Sequence, residues 1–306
     1  MNSTRRAATT DGDIPEVLAH SASPSWICHV TVTKYEIFAS RRDLRSGLTV
    51  RGAFGDTMPV EVHRMEPGGT TITWFGHACV EIRSPGGKVI LIDPWFANPS
   101  SPKSPDDVEE CDVMLVTHGH SDHFGNALPI ASRTRPRWPA IHELQLWLGS
   151  VYSAPDDCVG FNKGGTLEVK GIKVTMTSAD HSAGDWDNAS GAPRYLGEPV
   201  GFIVELEDGS RLYHAGDTNV FGDMRLIRDL YQPQLAMLPI GGHYTMGPRE
   251  AALAVELLGV DEVLPIHYGT FPILAGTPDQ LRTELSGRGL PDVRVHSPEP
   301  GESIRR

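Results

Sequence analysis

The sequence predicts an α/β (α+β) protein built as a layered sandwich of two sheets with helices outside. Three observations point there. Short strand-like runs come first, strands mixed with helices come later, and polar motifs rich in His and Asp stand where strands end.

The elements follow in order from Thr70. Residues 71–75 read as a strand that turns through Gly76-His77-Ala78-Cys79 into a second strand at 80–82. Ser84-Pro85-Gly86-Gly87 is a hairpin loop by its turn residues, and 88–92 is the next strand. Asp93-Pro94-Trp95-Phe96 breaks from its end, and Pro99, Pro102 and Pro105 make 97–107 a loop. The apolar run Val113-Met114-Leu115-Val116 is a short buried strand. Residues 141–148 give a short helix with Leu144, Trp147 and Leu148 on one face, and His142 there is background.

Further strands fall at 166–169 and 172–177. Residues 182–197 are predicted to be one long loop, rich in Gly, Asp, Ser and Asn, a length that usually carries function. Trp186 within it either lines a pocket or anchors the loop at the surface. A hairpin across Asp208-Gly209 joins 200–206 to 211–213, and 235–240 is a buried strand. Pro248 opens a helix that Gly259 stops, and 263–266 is a strand. Thr277-Pro278-Asp279-Gln280 is a capping box that starts a helix ending at Gly287.

Residues 1–64 read as a low-order N-terminal extension, in which only the fragment 27–33 suggests an edge strand. The alternative is a mis-assigned start, with Met58 or Met65 as the first residue. Residues 65–306 form the motif-bearing domain. A chain of 306 residues with 39% hydrophobic content has room for one large core or two. The net charge of −12 disfavours a broad nucleic-acid footprint. No apolar run approaches a membrane span, and Arg5-Arg6 lacks the apolar stretch of an export signal. Cys28, Cys79, Cys111 and Cys158 show no Cys-x-x-Cys spacing and read as free thiols. The expectation is a cytoplasmic protein that acts on a small molecule, with neither membrane nor nucleic acid as partner. A homo-oligomer is compatible with the sequence, which does not set the oligomeric state.

The chemistry concentrates in Thr117-His118-Gly119-His120-Ser121-Asp122-His123. Imidazole and carboxylate suit zinc, and admit manganese, iron or nickel. Alternate residues on extended chain point the same way, so His118 and His120 can share one ion while Asp122 and His123 turn toward a second.

This signature resembles that of the metallo-β-lactamase superfamily, whose fold is a four-layer αββα sandwich. The resemblance covers roughly residues 70–297. It implies that His118, His120 and His181 hold one ion, that Asp122, His123 and His267 hold the other, and that Asp217 bridges them. Gly76-His77-Ala78-Cys79, Asp93-Pro94-Trp95 and the run from Gly241 to Pro248 are similar to a prokaryotic branch of metal-dependent hydrolases resembling the L-ascorbate-6-phosphate lactonases. The zinc β-lactamases commonly carry Cys near the position of Asp217, which argues against β-lactam hydrolysis.

Two divalent ions about 3.5–4 Å apart can hold a bridging water and lower its pKa, so that hydroxide attacks a carbonyl or phosphorus centre. The expectation is therefore a binuclear hydrolase of a small ester, lactone or phosphoester, with Asp122 and Asp217 serving the chemistry. The alternatives are a phosphodiesterase or nuclease and, from another class, a metal-binding scaffold or sensor with little turnover. His243, closing a buried strand among glycines, is the first candidate for protonating the leaving group, ahead of Tyr244 and His77. His77 otherwise braces the turn under the site, and His214 packs or orients Asp217. Asp93 and Asp180 are placed to hydrogen-bond a ligating imidazole.

Overall fold

Two sheets organise the part of the chain that carries the motifs. The computed structural model describes residues 69–306 and, before them, four short strands. These are β1 (Cys28–Val32) antiparallel to β2 (Tyr35–Ala39) and β3 (Leu48–Arg51) antiparallel to β4 (Thr57–Val60). The strand expected at 27–33 is β1, and the other three are not expected from the sequence. The rest of the expected low-order extension lies outside the described residues. The chain divides into two units, Met1–Glu66 and Pro67–Arg306.

In the second unit, β5 (Thr71–Trp74), β6 (Val80–Arg83) and β7 (Val89–Ile92) form an antiparallel meander, and β8 (Val113–Leu115) adds parallel to β7. The signature follows, with Ser121–Phe124 as the short helix α1 and Ala127–Thr134 as α2. Strand β9 (Trp138–Ile141) leads into α3 (His142–Val151), and β10 (Cys158–Phe161) pairs parallel with β9. Next come β11 (Thr166–Val169), β12 (Ile172–Ser178), β13 (Asp185–Asp187), β14 (Ala192–Arg194), β15 (Val200–Glu205) and β16 (Arg211–His214). The chain ends through α4 (Met224–Tyr231), β17 (Leu235–Pro239), α5 (Pro248–Leu258), β18 (Glu262–Ile266), α6 (Pro278–Gly287), β19 (Arg294–Val295) and β20 (Ser303–Arg305).

The smaller sheet runs β20-β5-β6-β7-β8 and the larger runs β11-β12-β15-β16-β17-β18-β19. Alternation along the strands explains the layers, because successive side chains point to opposite faces. Leu235 and Met237 of β17 join one core with Ile72, Ile82, Ile90 and Met114 of the smaller sheet. Ala236 and Leu238 instead join Ile227 of α4, Val255 of α5 and Leu281 of α6. Helices α2 and α3 bury Ile130, Leu144 and Leu148 in the first of these cores. The result is two sheets face to face with helices outside, as the sequence predicts.

Local signals set several boundaries. Gly259 takes a left-handed φ of 62° after α5, a conformation in which glycine is unstrained, so its position ends the helix. Thr277 and Gln280 form the expected capping box at α6. Two expectations need correction, and one helix was not expected. Residues 182–197 are not one unstructured loop: β13 and β14 pair within them as a hairpin. Ile141 ends β9, and the helix expected at 141–148 runs His142–Val151. Helix α2 was hidden by Pro129, which is tolerated in a helix's first turn, where the missing N–H has no partner to lose.

Candidate metal centre

The site is assembled from loops at the ends of β5, β7, β8, β12, β16 and β18. His77, Asp93 and His267 sit at φ 50°, 48° and 54°, in the left-handed region that non-glycine residues seldom adopt. Such strain gathers where the surrounding structure over-determines a side chain's direction.

Asp217, following β16, is the centre. Its Oδ2 lies 3.2 Å from His123 Nε2, 3.0 Å from His267 Nε2 and 3.6 Å from His181 Nε2. Asp122 Oδ2 lies 3.9 Å from the same His267 nitrogen. On the other side, His118 Nε2 faces His120 Nδ1 at 2.9 Å. Ligand atoms converge in three sets: His118, His120 and His181; His118, His123 and Asp217; and His77, Asp122, His123 and His267. All seven expected ligand positions therefore come together in space.

The hydrogen bonds behind these rings assign their tautomers. His123 Nδ1 donates to Asp93 Oδ2 at 2.8 Å, which leaves the Nε2 lone pair facing Asp217. The Thr117 hydroxyl spends its only proton on Asp93 Oδ2, at 2.8 Å. It therefore accepts from His118 Nδ1 at 3.0 Å, and the His118 Nε2 lone pair also turns inward. Thr117 N–H donates to Asp93 Oδ1 at 2.7 Å, so one buried carboxylate orients both rings.

A lone pair aimed at a carboxylate oxygen is repulsive unless a cation lies between them. His123 Nε2, Asp217 Oδ1 and both His267 ring nitrogens are buried without a hydrogen-bond partner, although two of those nitrogens are within 3.2 Å of Asp217 Oδ2. Close approach without hydrogen-bond geometry is what metal ligands show when read as a protein alone. The electrostatics agree. Burial disfavours charge on His123, but Asp217 and Asp93 outweigh it and pull the ring well above its ordinary pKa. Burial likewise raises the Asp217 carboxyl, yet His123 and His267 hold it well below the usual range. The centre demands positive charge, which a bound divalent ion supplies in place of a proton. Burial keeps His118, His120 and His181 below their ordinary pKa, so these rings are neutral and offer lone pairs.

His77 is placed differently from the other rings. Its Nε2 donates to Asp122 Oδ2 at 3.1 Å and its Nδ1 accepts from the Thr270 hydroxyl at 3.0 Å. Burial lowers its pKa to about 4, so it is a neutral ring whose one proton is committed to Asp122. It braces the site, as its turn position suggests, by holding a candidate ligand directly. His214, also buried, accepts from Gly216 N–H at 3.1 Å and donates to Ala78 O at 3.3 Å, which fixes the turn into Asp217.

Other residues fall outside the cluster. His243 is exposed at φ 59°, with its ring edge-on to Tyr244 at 4.4 Å, so it does not close the strand as a buried residue. Its loop is tied to the site through Met246 N–H, which donates to Thr218 O at 3.2 Å. Asp180 orients no imidazole among the described residues; its N–H donates to the Thr218 hydroxyl at 2.9 Å and its carboxylate accepts from Asn219 Nδ2 at 3.4 Å. Trp186 is 57% exposed on the β13–β14 hairpin. Cys79, Cys111 and Cys158 are buried and free, and Cys28 lies among residues whose side chains are not described. A cavity of 430 Å³ lined by Trp74, Tyr268, Arg282 and Ser297 contains none of the cluster residues. No helix among the described residues is long and apolar enough to cross a membrane. Thr117 and Thr270 escaped the sequence reading; only the position of Thr117 directly ahead of the signature could have marked it.

Comparison with known proteins gives the family. The profile of the Beta-lactamase superfamily domain matches residues 88–268. A UPF0173 metal-dependent hydrolase of Rubrobacter xylanophilus is 48% identical over 238 residues, 78% of this chain and 97% of the relative. Its counterpart from Herpetosiphon aurantiacus is 46% identical over 236 residues, 76% of this chain and 97% of the relative. Igni18, a novel metallo hydrolase from the archaeon Ignicoccus hospitalis, aligns with a TM-score of 0.68 at 35% identity, covering 78% of this chain and 98% of that one. The fold and the His/Asp cluster define a metal-dependent hydrolase. The chain belongs to the metallo-β-lactamase superfamily.

Proposed function

We propose that the enzyme holds two divalent ions, zinc first among them, and hydrolyses a small ester, lactone or phosphoester. His118, His120 and His181 would hold one ion and Asp122, His123 and His267 the other, with Asp217 between. The convergence of His123, His181 and His267 nitrogens within 3.6 Å of Asp217 Oδ2 carries this reading. When bound, the ions supply an acidified water and polarise the bond under attack. Asp93 keeps the lone pairs of His118 and His123 turned inward, and His77 holds Asp122 in place. His243 is proposed to give the leaving group its proton from the rim, because its loop is anchored beside Asp217. The motif resemblance to the L-ascorbate-6-phosphate lactonases supports a lactone among these substrates. We assign the activity to residues 65–306.

Turnover of a lactone and of an activated phosphodiester, with metal content measured on the same samples, tests the reading against Asp217→Asn. Lactone turnover that vanishes in the variant, together with loss of bound metal, is expected. A variant as active as the parent would rule out the bridging role. Turnover of the phosphodiester alone would move the assignment to phosphoryl chemistry.

A further inference from the structure

Beside Asp122 three rings pack against one another. His77 and Trp95 have centroids 5.1 Å apart and nearly perpendicular planes. Phe271 lies 6.2 Å from His77 and 6.2 Å from Trp95, tilted by 33° to the latter. His77 commits its Nε2 proton to Asp122, whose side chain is 33% exposed, so this corner of the centre is open to solvent. Phe271 is 42% exposed and Ile273, two residues on, is 47% exposed. Large apolar side chains left open at the mouth of a polar site mark a binding surface rather than packing.

Both aromatic residues are fixed by the groups that orient the centre. Thr270, whose hydroxyl holds His77 Nδ1, immediately precedes Phe271. The loop is closed by Gly269 N–H to Leu274 O and by Leu274 N–H to Phe271 O, each at 2.9 Å. Trp95 N–H donates to Asp93 O at 2.7 Å, and Asn98 Nδ2 donates to Trp95 O at 2.7 Å. The indole also lies so close to Gly125 that a Cβ there would stand 2.5 Å from Trp95 Cδ1. The surface is therefore preorganised, and little ordering cost accompanies binding to it.

The exposed part of this surface is apolar, and covering it with a charged group that finds no partner costs free energy, so it favours an apolar substituent. A centroid separation of 6.2 Å also leaves no room for a ring between Trp95 and Phe271, since insertion needs two contacts of about 3.5 Å each. A flat substituent therefore has room only against the outside of the pair.

From this we infer that Trp95 and Phe271 form a specificity wall, selecting an ester or lactone whose flat apolar substituent packs against them while the scissile group lies at the metal centre. The inference deepens the proposed hydrolase reading and rests on its placing of Asp122 at that centre.

The test uses the full chain, with zinc content measured on every sample. Benzamide and acetamide, both neutral and neither needing a metal, are titrated by tryptophan fluorescence and ligand-observed NMR. In parallel, the kcat/KM of benzyl acetate is compared with that of ethyl acetate. Benzamide binding about tenfold tighter than acetamide is expected, from the usual worth of one aromatic contact. Phe271→Ala should close that gap and lower the benzyl-to-ethyl ratio through KM, with zinc content unchanged, and Phe271→Tyr should restore both. Equal affinity for the two amides, or a gap that survives Phe271→Ala, overturns the wall. Failure to take up zinc would instead defeat the metal-centre reading, and the amide titration would still decide the wall.

Discussion

The Asp93 carboxylate takes the Nδ1 proton of His123 at 2.8 Å, and this contact determines which His123 nitrogen faces Asp217. Removing it should loosen the centre without removing a ligand. Asp93→Asn is expected to weaken zinc binding by about 10–100-fold, the usual loss for a partner behind a ligating histidine. Competition against a chelator of known affinity measures it; unchanged affinity would show that packing alone orients the ring.

Chelation should destabilise the fold. Without an ion, the partnerless buried atoms of His123, Asp217 and His267 must be satisfied by protonation or rearrangement. At free zinc about 1,000 times the dissociation constant, binding adds about 4 kcal/mol of stability. Thermal melts with and without a chelator should differ by several degrees, and zinc should reverse the difference.

His77→Ala should release Asp122, whereas His77→Gln keeps a donor near its carboxylate. The expected order of bound zinc per chain is parent, then Gln, then Ala. Equal loss in both variants would mean that the ring tilted against His267 at 3.8 Å matters more than the hydrogen bond.

Gly241→Ala places a Cβ 2.2 Å from the backbone oxygen of His267, an atom that cannot swing aside. A loss of about 1–3 kcal/mol is expected from the overpacking. Because the displaced loop carries a candidate ligand, zinc affinity should fall with stability. A melt lowered at full zinc affinity would separate the two.

Glu262 ties the C-terminal segment to β18 through His296 at 2.7 Å and Arg306 at 3.0 Å. Burial raises its carboxyl, but these two partners outweigh it and hold the pKa below the ordinary value of 4.5. A depressed carboxylate stabilises the fold above its unfolded pKa, and that stability is lost as pH falls through the folded value. Glu262→Gln should therefore melt lower than the parent at pH 7, and the gap should narrow below about pH 4. A gap independent of pH would assign the effect to packing.

Much of this was readable in the residues. The signature from His118 to His123, and the order in which His181, Asp217 and His267 follow it, lie on single stretches of chain whose donor types speak for themselves. Helix caps at Gly259 and Thr277 were equally local. Elements without a local signal were missed. Strand β20, Ser303–Arg305, has no apolar alternation and exists because β5 offers it an edge to pair with. Helix α4 does carry a helical period, with Met224 and Ile227 buried one turn apart, but over only eight residues.

The sequence by itself determined which ligand types the centre would hold and that strands would deliver them, because period, turn chemistry and donor chemistry are properties of neighbouring residues. Tertiary structure decided the rest. It set His77 against Asp122, Asp93 behind both His118 and His123, and Trp95 beside Phe271, while leaving His243 exposed on its loop. Each of these pairs joins loops far apart in the chain. Their separation is fixed by how two sheets stack and where each strand stops, a distance that no local pattern encodes.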